Sequence, residues 1–143
     1  MKFLLSILLL VGACGPDSKG YVPTWDSEDL VGFWRLTHTS DLGEVDSIYV
    51  EFSDERGSYF AIEVAHVWNS DWRRIGIRPS KGDITTDGMV EFNIDFKDYK
   101  WNFACYEGAM DENKLLITGV CTYWRGSDET VSENLTIFVA ERL

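Results

Sequence analysis

Strict alternation of apolar and polar residues constrains this chain most. Val90, Phe92, Ile94 and Phe96 are interleaved with Glu91, Asn93 and Asp95. Successive side chains of a strand point to opposite faces, so a period of two writes a half-buried strand and excludes an amphipathic helix. The period recurs in Ile48, Val50 and Phe52, in Phe60, Ile62, Val64 and Trp68, in Tyr99, Trp101, Phe103 and Cys105, and in Leu135, Ile137 and Val139. Turn-forming clusters separate the runs, among them Asp54-Glu55-Arg56-Gly57, Asn69-Ser70-Asp71, Asp87-Gly88 and Glu107-Gly108. From Leu30 onward no stretch carries a helical period. About eight strands at short spacing predict an all-β fold, and closure of the sheet removes exposed edges, which favours a small antiparallel up-and-down β-barrel. The 143 residues suffice for one domain, and 45% hydrophobic with 14% aromatic residues suffices for a packed core.

The N-terminus reads differently. After Met1-Lys2 comes an apolar run, Phe3 to Val11, broken only by Ser6. A bilayer span needs about 20 residues, so this run has the length of a signal-peptide core. It leads into Val11-Gly12-Ala13-Cys14, which resembles the bacterial lipobox. The resemblance implies export, lipid transfer to the thiol of Cys14 and cleavage before it, making 1–13 a signal peptide. The competing reading is an ordinary secretory signal with a chance cysteine. Several acyl chains hold a protein stably on a membrane. Residue 15 is Gly and not the Asp that resembles an inner-membrane retention signal, which leans toward the outer membrane of a cell envelope. Residues 14–28 are rich in Pro, Gly and Asp and read as a lipidated cysteine and tether, with Trp25 able to dock on the domain at 29–143.

Leu30-Val31-Gly32-Phe33-Trp34 opens the first strand, and Phe138-Val139-Ala140-Glu141-Arg142 closes the last. This outline resembles the Gly-X-Trp start and terminal Arg of lipocalins and the wider calycin group. The resemblance implies that Trp34 plugs the barrel floor, that Arg142 covers it, that Gly32 admits a close approach, and that the barrel can hold a small, partly apolar ligand.

Cys105 and Cys121 remain as an even pair in an exported chain, where a disulfide is expected. A catalytic or metal-binding thiol pair is the other reading, but no CxxC and no adjacent His accompanies them. The two histidines, His38 and His66, fall in phase with apolar neighbours. They are read as half-buried, or as ligand-lining with Phe60, Phe92 and Trp101. No carboxylate stands at metal-ligand spacing from either, so no metal or other cofactor is expected. Arg73, Arg74 and Arg78 cluster near Lys81 beside Trp72, either as an anion site or as one exposed strand balancing nearby acids. Trp-Arg occurs as Trp34-Arg35, Trp72-Arg73 and Trp124-Arg125, read as Trp inward and Arg outward. No nucleophile, zinc or phosphate-loop motif is present, so an enzyme is not expected.

The 13 basic and 24 acidic residues give a net charge of −11, which excludes a nucleic-acid partner. Two functions of different class follow. One is a lipid-anchored binding protein with a small ligand in the barrel. The other is an acidic module that docks or inhibits a cationic partner, such as a lysozyme-type enzyme, steered by charge.

Overall fold

A computed structural model describes residues 25–39, 43, 45–55, 57, 60–97, 101–125 and 134–143. Residues 1–24, with the expected signal peptide, Cys14 and most of the expected tether, lie outside the described residues. One helical turn, α1 (Ser27–Leu30), precedes nine strands: β1 (Gly32–Thr39), β2 (Val45–Asp54), β3 (Ala61–Trp68), β4 (Arg74–Ile75), β5 (Ser80–Ile84), β6 (Val90–Asp95), β7 (Trp101–Met110), β8 (Leu116–Arg125) and β9 (Asn134–Arg142). Every pairing is antiparallel, and all join sequence neighbours except β1 with β9 and β3 with β5. The β3 strand is long enough to serve two partners: β5 pairs its first half and the two-residue β4 its last. With β4 and β5 as one interrupted wall, the sheet closes into an eight-stranded antiparallel up-and-down barrel.

Alternation decides which side chains enter the lumen. On β6, Val90, Phe92 and Ile94 are buried while Glu91 and Asn93 are exposed. The core runs through Trp34, Leu36, Val50, Phe52, Ile62, Val64, Val67, Phe92, Ile94, Ile117 and Phe138. Ring contacts Trp34–Phe52, Phe52–Phe92 and Phe92–Phe138, with centroids 6.5, 5.3 and 5.7 Å apart, bridge the lumen near one end. Phe138 fits because Gly119 on the adjacent strand carries no side chain; a Cβ there would stand 2.6 Å from the ring.

Four expectations change. First, β9 has the opposite phase: Thr136, Phe138 and Ala140 are buried, whereas Leu135 and Ile137 are 58% and 60% exposed. Second, the register of β2 with β3 shifts at Glu51/Phe52, pairing Glu51 with His66 and Phe52 with Val64. Ala65 is the extra residue of this bulge, so Val67 takes the inward place that strict alternation gives to His66. Third, Glu107-Gly108 is no turn. Glu107 has φ 55° inside β7, where the register with β8 shifts, and the hairpin turns instead at Asp111, whose carboxylate accepts from the Leu115 and Leu116 amides. Fourth, the boundary at residue 29 falls within α1. The barrel core takes in Trp25 and Leu30, so the folded part begins no later than Trp25.

Candidate functional site

The two ends of the barrel differ. At one end α1 lies across the opening. Asp26 caps it by accepting from the Glu28 amide, and its own amide donates to the Asp29 carboxylate. Trp34 is fully buried beneath, and its indole N–H donates to the Leu30 carbonyl at 2.8 Å. Arg142 stands opposite Trp34 in the β1–β9 register, with its guanidinium 5.6 Å from the ring centroid. The same guanidinium donates to the Asp29 and Val31 carbonyls at 2.6 and 2.8 Å. It therefore ties both strands and α1 together over the indole. Gly32 is needed for its φ of +132°, not for room, since a Cβ there would meet Arg142 at an ordinary 3.7 Å. Lys114 reaches in from the β7–β8 turn to donate to Asp29 at 2.8 Å. Burial alone would raise the Asp29 carboxyl, but the bonds from Lys114 and the Asp26 backbone outweigh it and hold it below its usual 3.8.

The other end carries no such cover among the described residues. His38 projects inward from β1 and meets Phe103 of β7 edge-on across the lumen, centroids 5.1 Å apart; Phe103 meets Phe96 at 5.7 Å. These rings form the last layer of the interior. Below it the inward side chains are buried, while His38 and Phe103 are half-buried. Burial pushes the His38 imidazole below its usual 6.5, opposed by Asp46 in the facing position of β2, so the ring is neutral and able to donate and accept. No hydrogen bond ties it to another described residue. A neutral imidazole among phenyl rings can orient a small molecule with an apolar body and one polar group.

The other candidates fall elsewhere. Phe92 lies deep in the core, 4% exposed between Phe52 and Phe138, so it fills the barrel and does not line a site. The backbone of Trp101 starts β7 at the end opposite the floor; its side chain lies outside the described residues. Phe60 is 57% exposed in the turn before β3. His66 faces outward, where its Nδ1 bonds the Glu51 carboxylate at 2.7 Å, because of the Ala65 bulge. Arg78 donates twice to Asp95, at 3.0 and 2.9 Å, which removes it from any anion site with Arg73 and Arg74. Trp72 is also outward, 54% exposed, because it sits in a turn where strand alternation does not apply. Cys105 and Cys121 face each other across β7 and β8 and form a buried disulfide. Sequence reasoning missed α1, although Asp26 three residues before Asp29 is a helix-start signal.

Eight up-and-down strands closed over a sealed floor place the chain in the architectural class of small antiparallel up-and-down β-barrels. No family model and no curated protein matches it. Solved β-barrels do. It is 18% identical to the redesigned β-barrel b11L5F_LGL, with a TM-score of 0.63 over 85% of this chain and 99% of that one. It is 17% identical to EF1p2_mFAP2b, solved bound to DFHBI, with a TM-score of 0.62 over 82% and 96%. The redesigned β-barrel mFAP1, also bound to DFHBI, is 19% identical with a TM-score of 0.59 over 81% and 97%. At these identities the likeness is one of fold.

Proposed function

We propose that this chain is a lipid-anchored cell-envelope protein that binds a small, partly apolar ligand at the open mouth of its barrel. The observation that carries the ligand reading is the His38–Phe103–Phe96 layer. It is a half-buried, neutral polar group among aromatic rings, at the end opposite the sealed floor. Two of the similar barrels are bound to DFHBI, which agrees with a small-molecule role for this architecture. The anchor rests on the Val11-Gly12-Ala13-Cys14 motif, and the outer membrane on Gly15. Titration of the protein with anilinonaphthalene sulfonate tests the mouth. One probe should bind per barrel, and His38→Trp, which fills the mouth, should abolish binding. Absence of a saturable site in the parent ends the reading. Intact-mass spectrometry of protein from a bacterial membrane tests the anchor: a mature chain beginning at acylated Cys14 is expected, and an unmodified Met1 refutes it.

A second reading has one observation in its favour. Glu63, Asp83 and Glu91 are exposed on adjoining strands β3, β5 and β6, and a shallow depression of about 400 Å³ lies between Lys81, Asp83, Glu91, Asn93 and Tyr106 on the outer wall, where Lys81 is paired with Glu55. This wall suits a cationic protein partner. Binding to a lysozyme-type enzyme that survives Asp83→Asn with Glu91→Gln would refute that assignment.

A further inference from the structure

The outer wall carries side chains that neither end of the barrel uses. Strand pairing aligns Arg35 with Tyr49, Tyr49 with Trp68, and Trp68 with Arg74, giving one rung across β1, β2, β3 and β4. All four face outward, since their neighbours Leu36, Val50, Val67 and Ile75 pack into the core. The rung spans about 14 Å between its two arginine positions, three strand spacings. Above it lies Trp72, stacked on Tyr49 with ring centroids 3.9 Å apart and planes 10° from parallel. Trp68 meets Trp72 at 6.2 Å and Phe33 at 5.7 Å.

Trp72 is held there against its backbone preference. Its φ is +57°, a region that bulky side chains rarely adopt. Asn69 enforces it: the Asn69 carbonyl accepts from the Trp72 amide at 2.9 Å, and its side chain accepts from the Asp71 and Arg73 amides at 3.0 and 2.9 Å. The result is an indole laid flat on a tyrosine yet 54% open to solvent, beside Trp68, whose other neighbour Phe33 is 43% exposed. Arg73 and Arg74 flank Trp72, exposed and without an ion pair to any described residue. In a chain of net charge −11, two such guanidiniums beside an open aromatic platform are locally out of character.

We propose that this rung is a binding site for an acidic polysaccharide. A sugar ring offers an apolar C–H face to the Trp72–Tyr49 stack, its carboxylate or phosphate lies against Arg73 and Arg74, and its hydroxyls reach the Glu51–His66 pair in the adjoining rung. A bare anion would leave the aromatic platform unused. A neutral glycan would leave the guanidiniums unused. An open convex wall suits a long chain better than it suits a small molecule that must be enclosed. The site is independent of the mouth.

The full chain is titrated with an oligogalacturonate, with dextran of matched length and with a poly-thymidine strand, read by tryptophan fluorescence and calorimetry. The oligogalacturonate should bind, with affinity falling as salt rises, and dextran should bind at least about tenfold more weakly. Trp72→Gly is the decisive variant, because glycine accepts a φ of +57° and the turn survives. It should weaken binding at least about tenfold while the barrel still melts in one cooperative transition. Arg74→Gln should weaken binding and flatten its salt dependence. Equal affinity for dextran, preference for the poly-thymidine strand, unchanged binding by Trp72→Gly, or no binding of oligogalacturonate at millimolar concentration each overturns the proposal.

Discussion

Arg142 does three things with one planar group: it stacks over Trp34 and donates to two carbonyls of the segment that covers the floor. Lysine, a point charge on a flexible stem, cannot reproduce this fork. Trp34→Ala should cost about 3–5 kcal/mol, as the loss of a large buried side chain. Arg142→Met should cost about 1–3 kcal/mol, because it leaves those carbonyls without their donor. Urea unfolding of both variants measures these costs, and a near-neutral Arg142→Met would mean that the floor holds without its clamp. His38 makes the second residue-scale prediction. Its folded value is lowered by burial while the unfolded chain titrates at the usual 6.5. The unfolded state therefore binds the proton more readily, so stability is full above about pH 6.5 and declines as pH falls from there toward the lowered value. His38→Phe should remove that decline. The lowered carboxyls of Asp29 and Asp111 act in another window: their stabilisation is present above 3.8 and is lost only as pH falls below it. Stability curves of parent and variant across pH 5 to 7.5 separate the two, and parallel curves would remove the assignment to His38.

Elements were legible to different degrees. The walls of β2 and β6 follow from alternation alone, because each strand keeps one phase for its inward residues, Ile48 to Phe52 and Val90 to Ile94. The β3 strand was half legible. Ile62 and Val64 are placed correctly by period, but a bulge is an insertion in a pairing, and a single strand does not record what its partner does. Everything after Ala65, His66 included, was therefore assigned to the wrong face. The last strand misled for another reason. Leu135, Ile137 and Val139 are the more hydrophobic series, but Phe138 with the small Thr136 and Ala140 fits a lumen already crowded by Phe52 and Phe92. Volume and not hydrophobicity chose the face. Ile137→Lys tests this. It should change stability by no more than about 0.5 kcal/mol as a surface substitution, where a core isoleucine would cost several times more. The disulfide joins two strands that also pair through their backbones, so its reduction should leave the barrel folded while lowering stability by about 3 kcal/mol in the chain-entropy model. Denaturant curves with and without reductant check it, and loss of the β-sheet signal on reduction would refute it.

The molecule as a whole has three outer surfaces with different chemistry. One is acidic, across β3, β5 and β6. One holds the aromatic rings and arginines of β1 to β4. The third, across β8 and β9, presents Thr118, Val120, Leu135, Ile137 and Val139 without a charge until Glu141. Net charge is blind to this partition, since it sums over faces that no single partner meets together. The candidate site was readable to the same limited extent. Trp34 and His38 share one phase of β1 and could be placed by period, whereas Arg142 was legible only through the calycin resemblance, because the apparent period of β9 puts it on the outer face. Trp72 could not, because its position is set by the hydrogen bonds of Asn69 in a turn. The first described residues, Trp25 and α1, lie over the sealed floor, while the His38 layer lies at the far end. A surface-capture tag, a fused domain or a bead joined directly to Trp25 is therefore attached at the base of the cup. The rim is left pointing away from the support, so immobilised protein presents every mouth to the solution in the same sense.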